Sequence, residues 1–195
     1  MLLGLLATGC KIHSDEKNLE RPSESTMGEL VWDVSNWINS ESLTLKQLNG
    51  KVVLIRWWTG PECPYCLSSL PLLQTWYERF RDDGLMVVGL YHHKGPGRAH
   101  AEDVEQLVRD RAITFPVAID WEWKTLKRWY LDHHPADFTS ISMLIGRDGV
   151  LRFVQKRGDL MNGNAPALEL EAELRKALGE SIPVHTRIVK RSSRA

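Results

Sequence analysis

Cysteine is scarce in this chain, with three among 195 residues. That number excludes the multi-disulfide framework that staples small secreted domains. Net charge is missing as well. Twenty-five Lys and Arg side chains balance 25 Asp and Glu, so the basic excess with which a dedicated nucleic-acid binder meets phosphates is absent, and no nucleic acid is expected as a partner. Long hydrophobic runs are lacking too. The apolar start MLLGLLATG falls far short of the ~20 residues that cross a bilayer. No internal repeat and no low-complexity block interrupts the chain. What is present is an ordinary hydrophobic share, 43%. Over this length that suffices for one domain with a real core and extra sequence at its ends.

The ends read differently from the middle. MLLGLLATGC is apolar from Leu2 to Leu6, small up to Cys10, and charged from Lys11 onward, which is the pattern that closes a secretory signal. The stretch Leu6-Ala7-Thr8-Gly9-Cys10 resembles a bacterial lipobox, in which the cysteine takes lipid and becomes the mature N-terminus. Ala7 stands where a leucine is usual, and no Lys or Arg precedes the apolar run; a start codon placed too far downstream would account for the second departure. The resemblance implies a signal segment over 1–10, lipidation at Cys10, and a periplasm-facing location in the cell envelope, held to the membrane by the lipid. Residues 11–28 are polar without periodicity and read as a flexible linker. Residues 181–195 carry Arg187, Lys190, Arg191 and Arg194 without an acid and read as a basic, disordered tail. The folded domain is then expected over 29–180.

Within it, VWDVSNW suggests a short strand, and SLTLKQLNG a helical turn closed by Gly50. KVVLIRWW, residues 51–58, is apolar apart from Arg56, as a buried central strand would be. Leu67, Leu70, Leu73, Tyr77 and Phe80 then recur at helical spacing along one face. LMVVGLYHH predicts a strand. Residues 101–112 predict a helix with Val104, Leu107, Val108 and Ala112 inward. TFPVAID predicts a short strand and WKTLKRWYL a helix. SISMLIG and VLRFVQKR flank RDG as a hairpin. APALELEAELRKALG predicts a final helix stopped by Gly179. Strands alternating with helices imply an α/β fold, a mixed sheet covered on both faces.

The chemistry concentrates in TGPECPYCLSSLP, residues 59–71. Cys63 falls at the start of a helix that follows a buried strand. The first helical amides have no internal partner and carry partial positive charge, so a thiolate there is stabilised and becomes a better nucleophile. Pro64 suits the first helical position. Cys66, three residues on, brings its sulfur beside that of Cys63. Cys63 can attack a disulfide, form a mixed intermediate and be displaced by Cys66. Two other readings of the pair stand beside this one: half of a structural zinc site, which needs two further ligands, and simple packing. His92-His93 and His133-His134 are the histidines available to a metal. Trp57, Trp58, Trp121, Trp123 and Trp129 suit packing, and Lys127 and Arg128 suit a solvated helix face.

A strand, a loop, Cys-x-x-Cys and a helix resemble the thioredoxin-like fold, and Pro71, five positions after Cys66, matches the proline that kinks that family's active-site helix. LNGKVVLIRWWTGPECPYC, with FPVAID and MLIGRDGVLRFVQKRGDL, resembles the TlpA-type branch of secreted thiol-disulfide oxidoreductases over roughly residues 30–178. The resemblance implies a central mixed sheet with helices on both faces. It also implies a redox-active Cys63–Cys66 disulfide, exchange with protein thiols and disulfides, and an upstream redox partner. No cofactor is implied, because the electrons reside on sulfur. Pro64-Tyr65 is the dipeptide of glutaredoxins, whose potentials lie near about −200 to −230 mV, so a moderately oxidising pair is expected. Trp58, Glu62, Pro64, Tyr65 and Ser140 are the expected tuning and rim residues.

Departures from the branch are specific. Glu62 replaces an aromatic residue before the first cysteine, and its carboxylate opposes a thiolate. The loop from Trp58 to Cys63 is one residue longer than usual. Arg56 or Trp57 stands where thioredoxins bury an acid. Ser140 occupies the place of the cis-proline, with Pro135 five residues earlier; a non-proline peptide there should be trans. The alternative function is a Sco-like copper or zinc carrier that combines the same cysteines with histidines, although Sco-type proteins space their cysteines by three residues. A peroxiredoxin motif is not matched by Thr59 and Pro61.

Overall fold

The computed structural model describes residues 31–60, 63–97, 99–134, 138–156 and 159–179. The lipobox with Cys10, the linker, the basic tail, Pro61, Glu62 and Pro135 lie outside the described residues.

The apolar runs form strands and the periodic ones helices. The strands are β1 (Ser35–Ile38), β2 (Val52–Trp58), β3 (Leu85–Tyr91), β4 (Val117–Ile119), β5 (Ser142–Ile145) and β6 (Leu151–Gln155). The helices are α1 (Pro64–Ser68), α2 (Leu70–Phe80), α3 (Ala101–Asp110), α4 (Lys124–Leu126) and α5 (Ala165–Leu178). One sheet joins the strands in the order β1-β4-β3-β2-β5-β6. β2, β3 and β4 run parallel, while β1, β5 and β6 pair antiparallel with their neighbours. β2 is therefore central, and all seven of its residues are buried, which is why it reads as a continuous apolar run.

Alternation along β2 divides the core. Val52, Leu54 and Trp58 enter a cluster with α2 (Leu70, Leu73, Trp76, Phe80), α3 (Val104, Val108) and α5 (Leu170, Leu174). Val53, Ile55 and Trp57 enter a second cluster on the other face with Trp32, Leu48, Leu126 and Tyr130. Helices thus cover both faces, as expected. Packing is tight where β3 crosses behind Trp58. A Cβ on Gly89 would lie 3.0 Å from the Trp58 indole nitrogen and 3.1 Å from the Phe115 ring, so only glycine admits both aromatic rings.

Two local expectations are corrected. Ala112 lies beyond the end of α3, exposed and in a left-handed conformation (φ 50°), because the chain must turn there to deliver Ile113 to the core. WKTLKRWYL is not one regular helix. A 3-10 turn (Trp121–Trp123) contains two successive left-handed residues, Glu122 (φ 56°) and Trp123 (φ 61°), before α4, and a π-helical turn (Lys127–Leu131) follows. The reason is tertiary. The Asp120 carboxylate accepts hydrogen bonds from the Thr125 and Leu126 amides (2.8 and 2.9 Å) and from the Trp57 indole (3.0 Å), and the chain bends back to reach it.

Candidate active site

The parallel strand β2 delivers its last residues to the C-terminal edge of the sheet, where open α/β folds place their sites. A short loop leads from Trp58 to Cys63, which caps α1. Its backbone is extended (φ −119°, ψ 90°), its carbonyl accepts from the Cys66 amide at 3.0 Å, and its sulfur accepts from the same amide at 3.3 Å. Pro64 occupies the first helical position, where its missing N–H removes no bond. One turn on, Cys66 returns to Cys63, the Cα atoms lie 5.3 Å apart, and the two sulfurs form a disulfide. The side chains of Pro64 and Tyr65 lie outside the described residues.

The two sulfurs occupy different surroundings. Cys63 is half-buried and packs against the edge of the first core cluster, whereas Cys66 is fully buried within it. The helix breaks between α1 and α2 at Ser69. Pro71 supplies no amide to the preceding turn, and the Ser69 hydroxyl donates to the Cys66 carbonyl at 2.6 Å instead. This bend turns α1 toward the sheet edge and leaves α2 packed on β3.

Ser140 is not a rim residue in this geometry. It is buried, 7% exposed, and its hydroxyl lies 2.8 Å from the Cys66 sulfur. A sulfur in a disulfide carries no hydrogen, so the hydroxyl is the donor. No cis peptide bond occurs among the described residues. Trp58 is likewise buried beneath the site, edge-on to Tyr91 at a centroid distance of 5.2 Å.

Of Arg56 and Trp57, the two residues nearest the position at which thioredoxins bury an acid, Arg56 lies on the cysteine face and is a cation. Arg56 is fully buried on the Leu54–Trp58 side of β2. Its Nη1 donates to Gln155 Oε1 (3.0 Å), Ser142 Oγ (3.1 Å) and the Ser140 carbonyl (3.4 Å). Burial lowers its pKa to about 10, with the Asp159 carboxylate acting in the opposite direction, so the guanidinium remains charged at neutral pH. Sequence reading marked Arg56 as an interruption of an apolar run and, with Trp57, as a candidate for the place of a buried acid, but gave it no partners. Its partners come from β5 and β6, about a hundred residues away, and no local signal announces them.

The histidines fall elsewhere. His92 follows β3, buried and edge-on to Trp123 at 5.2 Å. Burial, reinforced by the Lys94 and Arg56 cations, pushes its pKa down to about 3. His134 stacks on Tyr130, in the cluster on the other face of the sheet from the cysteines, and His133 is exposed. Among the described residues no group of three or more His, Cys, Asp or Glu is arranged to hold a metal. At the ends of β3 and β4, a cleft of about 530 Å³ is lined by His93, His100, Asp120, Trp121 and Trp123.

Residues 32–154 match the AhpC/TSA family. The chain belongs to that family. It is 27% identical over 125 residues to protein DipZ of Mycobacterium bovis, an alignment that covers 63% of this chain and 17% of DipZ. It is 24% identical over 105 residues to the thiol-disulfide oxidoreductase ResA of Halalkalibacterium halodurans, covering 54% of each chain. The chain thus spans a small part of DipZ and about half of ResA. With the sporulation thiol-disulfide oxidoreductase A of Bacillus subtilis the identity is 25% over 142 residues, covering 71% of this chain and 77% of that one. Among solved structures, a thioredoxin-like protein in the oxidised form superposes with a TM-score of 0.63 at 22% identity, over 82% of this chain and 98% of the other. A thiol-disulfide isomerase from Corynebacterium glutamicum gives a TM-score of 0.59 at 26% identity, over 77% and 95%. The thioredoxin-like fold and the kinship with TlpA-type redoxins expected from the sequence are borne out. No helix among the described residues is long and apolar enough to cross a membrane.

Proposed function

We propose that the chain is a thiol-disulfide oxidoreductase that exchanges disulfides with protein substrates through Cys63 and Cys66. The observation that carries this reading is the asymmetric pair itself: a disulfide between a half-buried sulfur at the start of a helix and a fully buried one a turn later. Cys63 is the attacking thiolate and Cys66 the resolver. The Cys63 thiolate displaces one sulfur of a substrate disulfide, giving a mixed disulfide. The Cys66 thiol gives its proton to that departing thiolate. The Cys66 thiolate then attacks Cys63, and the second substrate sulfur leaves. Two electrons pass from the pair to the substrate, and an upstream redox partner restores or removes them according to the direction of flow.

Pro64 and Tyr65 set the potential of the pair, Glu62 bears on the Cys63 thiolate, and Trp58 supports the loop that presents it. The chain works in the cell envelope, facing the periplasm, with a lipid on Cys10 as its anchor. The apolar, acid-free start that ends at Cys10 supports this location.

The test is reduction of insulin by the purified protein, together with the reduction potential of the pair against glutathione. Insulin turnover that vanishes in Cys63→Ser, with a potential between about −270 and −180 mV, supports the reading. Negligible insulin reduction, with stoichiometric copper or zinc on protein purified under reducing conditions, assigns the chain to the metal carriers instead.

A further inference from the structure

The face of the sheet beneath the cysteines is apolar except for one row. Arg56 on β2 is directly opposite Ser142 on β5, and Ser142 is directly opposite Gln155 on β6. Directly opposed residues share a face, so the three side chains form a buried line across adjacent strands. Within it, Arg56 donates to both neighbours and the Ser142 hydroxyl donates to Gln155 Oε1 at 3.2 Å. The line ends at the active site. The same Arg56 Nη1 reaches the Ser140 carbonyl, and the Ser140 hydroxyl reaches the Cys66 sulfur. Burial of a guanidinium is costly even when it is hydrogen-bonded, so simple packing gives no reason for an arginine here.

We propose that Arg56 is a positioning residue for the resolving step: it fixes the Ser140 hydroxyl on the Cys66 sulfur and supplies the positive potential that favours Cys66 as a thiolate. The inference rests on the disulfide-exchange reading above. A hydroxyl that donates to sulfur stabilises the thiolate over the thiol, and a nearby cation acts in the same direction. A buried carboxylate in this position would instead take the proton from Cys66 and become neutral as the thiolate forms. Here the buried guanidinium is already protonated and cannot accept another proton, so the Cys66 proton leaves the interior. Two further titratable groups sense the same region. Asp159, beyond β6, faces Arg56 with opposite charge, and His92, at the end of β3, stays neutral at working pH. The net potential at Cys66 is set by the arginine, partly offset by Asp159.

Ellman's reagent separates the two half-steps in full-length reduced protein carrying Cys10→Ser, so that the pair holds the only thiols. Attack by the Cys63 thiolate breaks the reagent's disulfide and releases one thionitrobenzoate. Attack by the Cys66 thiolate on Cys63 releases the second, and the Cys66 proton passes to buffer. Arg56→Met and Ser140→Ala are each expected to lower the ratio of second-phase to first-phase rate at pH 7 about tenfold, equivalent to one pKa unit on Cys66. They should also shift the pH midpoint of the second phase upward, with Arg56→Lys restoring most of the ratio. An unchanged ratio and midpoint in Ser140→Ala overturns the proposal, and that variant carries the test if Arg56→Met fails to fold. A loss in Arg56→Lys as large as in Arg56→Met also overturns it, because charge would then not be the cause. Absence of a first phase in the parent protein would count against the exchange reading itself, and so is distinguishable from both.

Discussion

The indole nitrogen of Trp57 donates to the Asp120 carboxylate at 3.0 Å, joining the end of the central strand to the loop after β4 across 63 residues of sequence. The same carboxylate holds the Thr125 and Leu126 amides. Asp120→Ala leaves these three buried donors without their acceptor. The expected loss is about 3 kcal/mol of stability, read as a lower midpoint in urea denaturation. Loss below about 0.5 kcal/mol would show that the loop re-forms its bonds elsewhere.

Gly89 is required by the rings around it rather than by its backbone. The new methyl of Gly89→Ala would press on the Trp58 indole, the Phe115 ring and Val117 at 3.0–3.2 Å. Destabilisation of roughly 1–3 kcal/mol is expected. Trp58 leads into the cysteine loop, so reactivity of Cys63 toward iodoacetamide should change in the same variant. Calorimetry and alkylation rates check the two effects.

His92 gives the protein a weakness to acid. Its folded-state pKa, lowered to about 3 from the ordinary 6.5, means that the unfolded chain binds a proton over that interval and the folded chain does not. The stability that His92 allows is complete above pH 6.5 and falls as pH drops toward 3, by about 1.4 kcal/mol per unit. Asp120 acts in the opposite sense. Burial raises its pKa, so its ionised form disfavours folding as pH rises through the carboxylate range. Parallel denaturation curves at pH 7 and pH 5 should therefore converge in His92→Phe relative to the parent protein. An unchanged difference would show that the ring protonates in place.

Cys66→Ser removes the resolver and leaves Cys63 to accumulate mixed disulfides. Under the proposed function, thiol-sensitive adducts should be recovered from cells expressing that variant and should disappear when Cys63 is also replaced. Equal recovery with and without Cys63 would assign the adducts to Cys10. Cys10→Ala should separately move the protein from the membrane fraction to the soluble one.

Hydrophobic period was a good guide where burial is uniform. β2 and β3 are buried along nearly their whole length, and an apolar run is what such strands must be. α5 carries its own boundary signals in Asn164, whose side chain accepts from the Ala167 amide at 3.0 Å, and in left-handed Gly179. The pattern failed over WKTLKRWYL, residues 123–131, which is not one regular helix. The hydrogen bonds to Asp120 and the seat of Trp123 against His92 override the helical spacing there, and neither is local.

At the site, Cys63, Pro64, Cys66 and Pro71 could be read in order because their chemistry depends on spacing along one helix. Ser140 could be matched to the place of the family's cis-proline, but not its depth or its contact with sulfur. The amino-acid order by itself determined the strands, the capped helix and the cysteine pair, since each follows from forces acting over a few residues. Only the tertiary structure decided which strands are neighbours. That choice aligned Arg56, Ser142 and Gln155 and brought Ser140 to Cys66, because cross-strand register and burial are set by contacts between segments far apart in the chain.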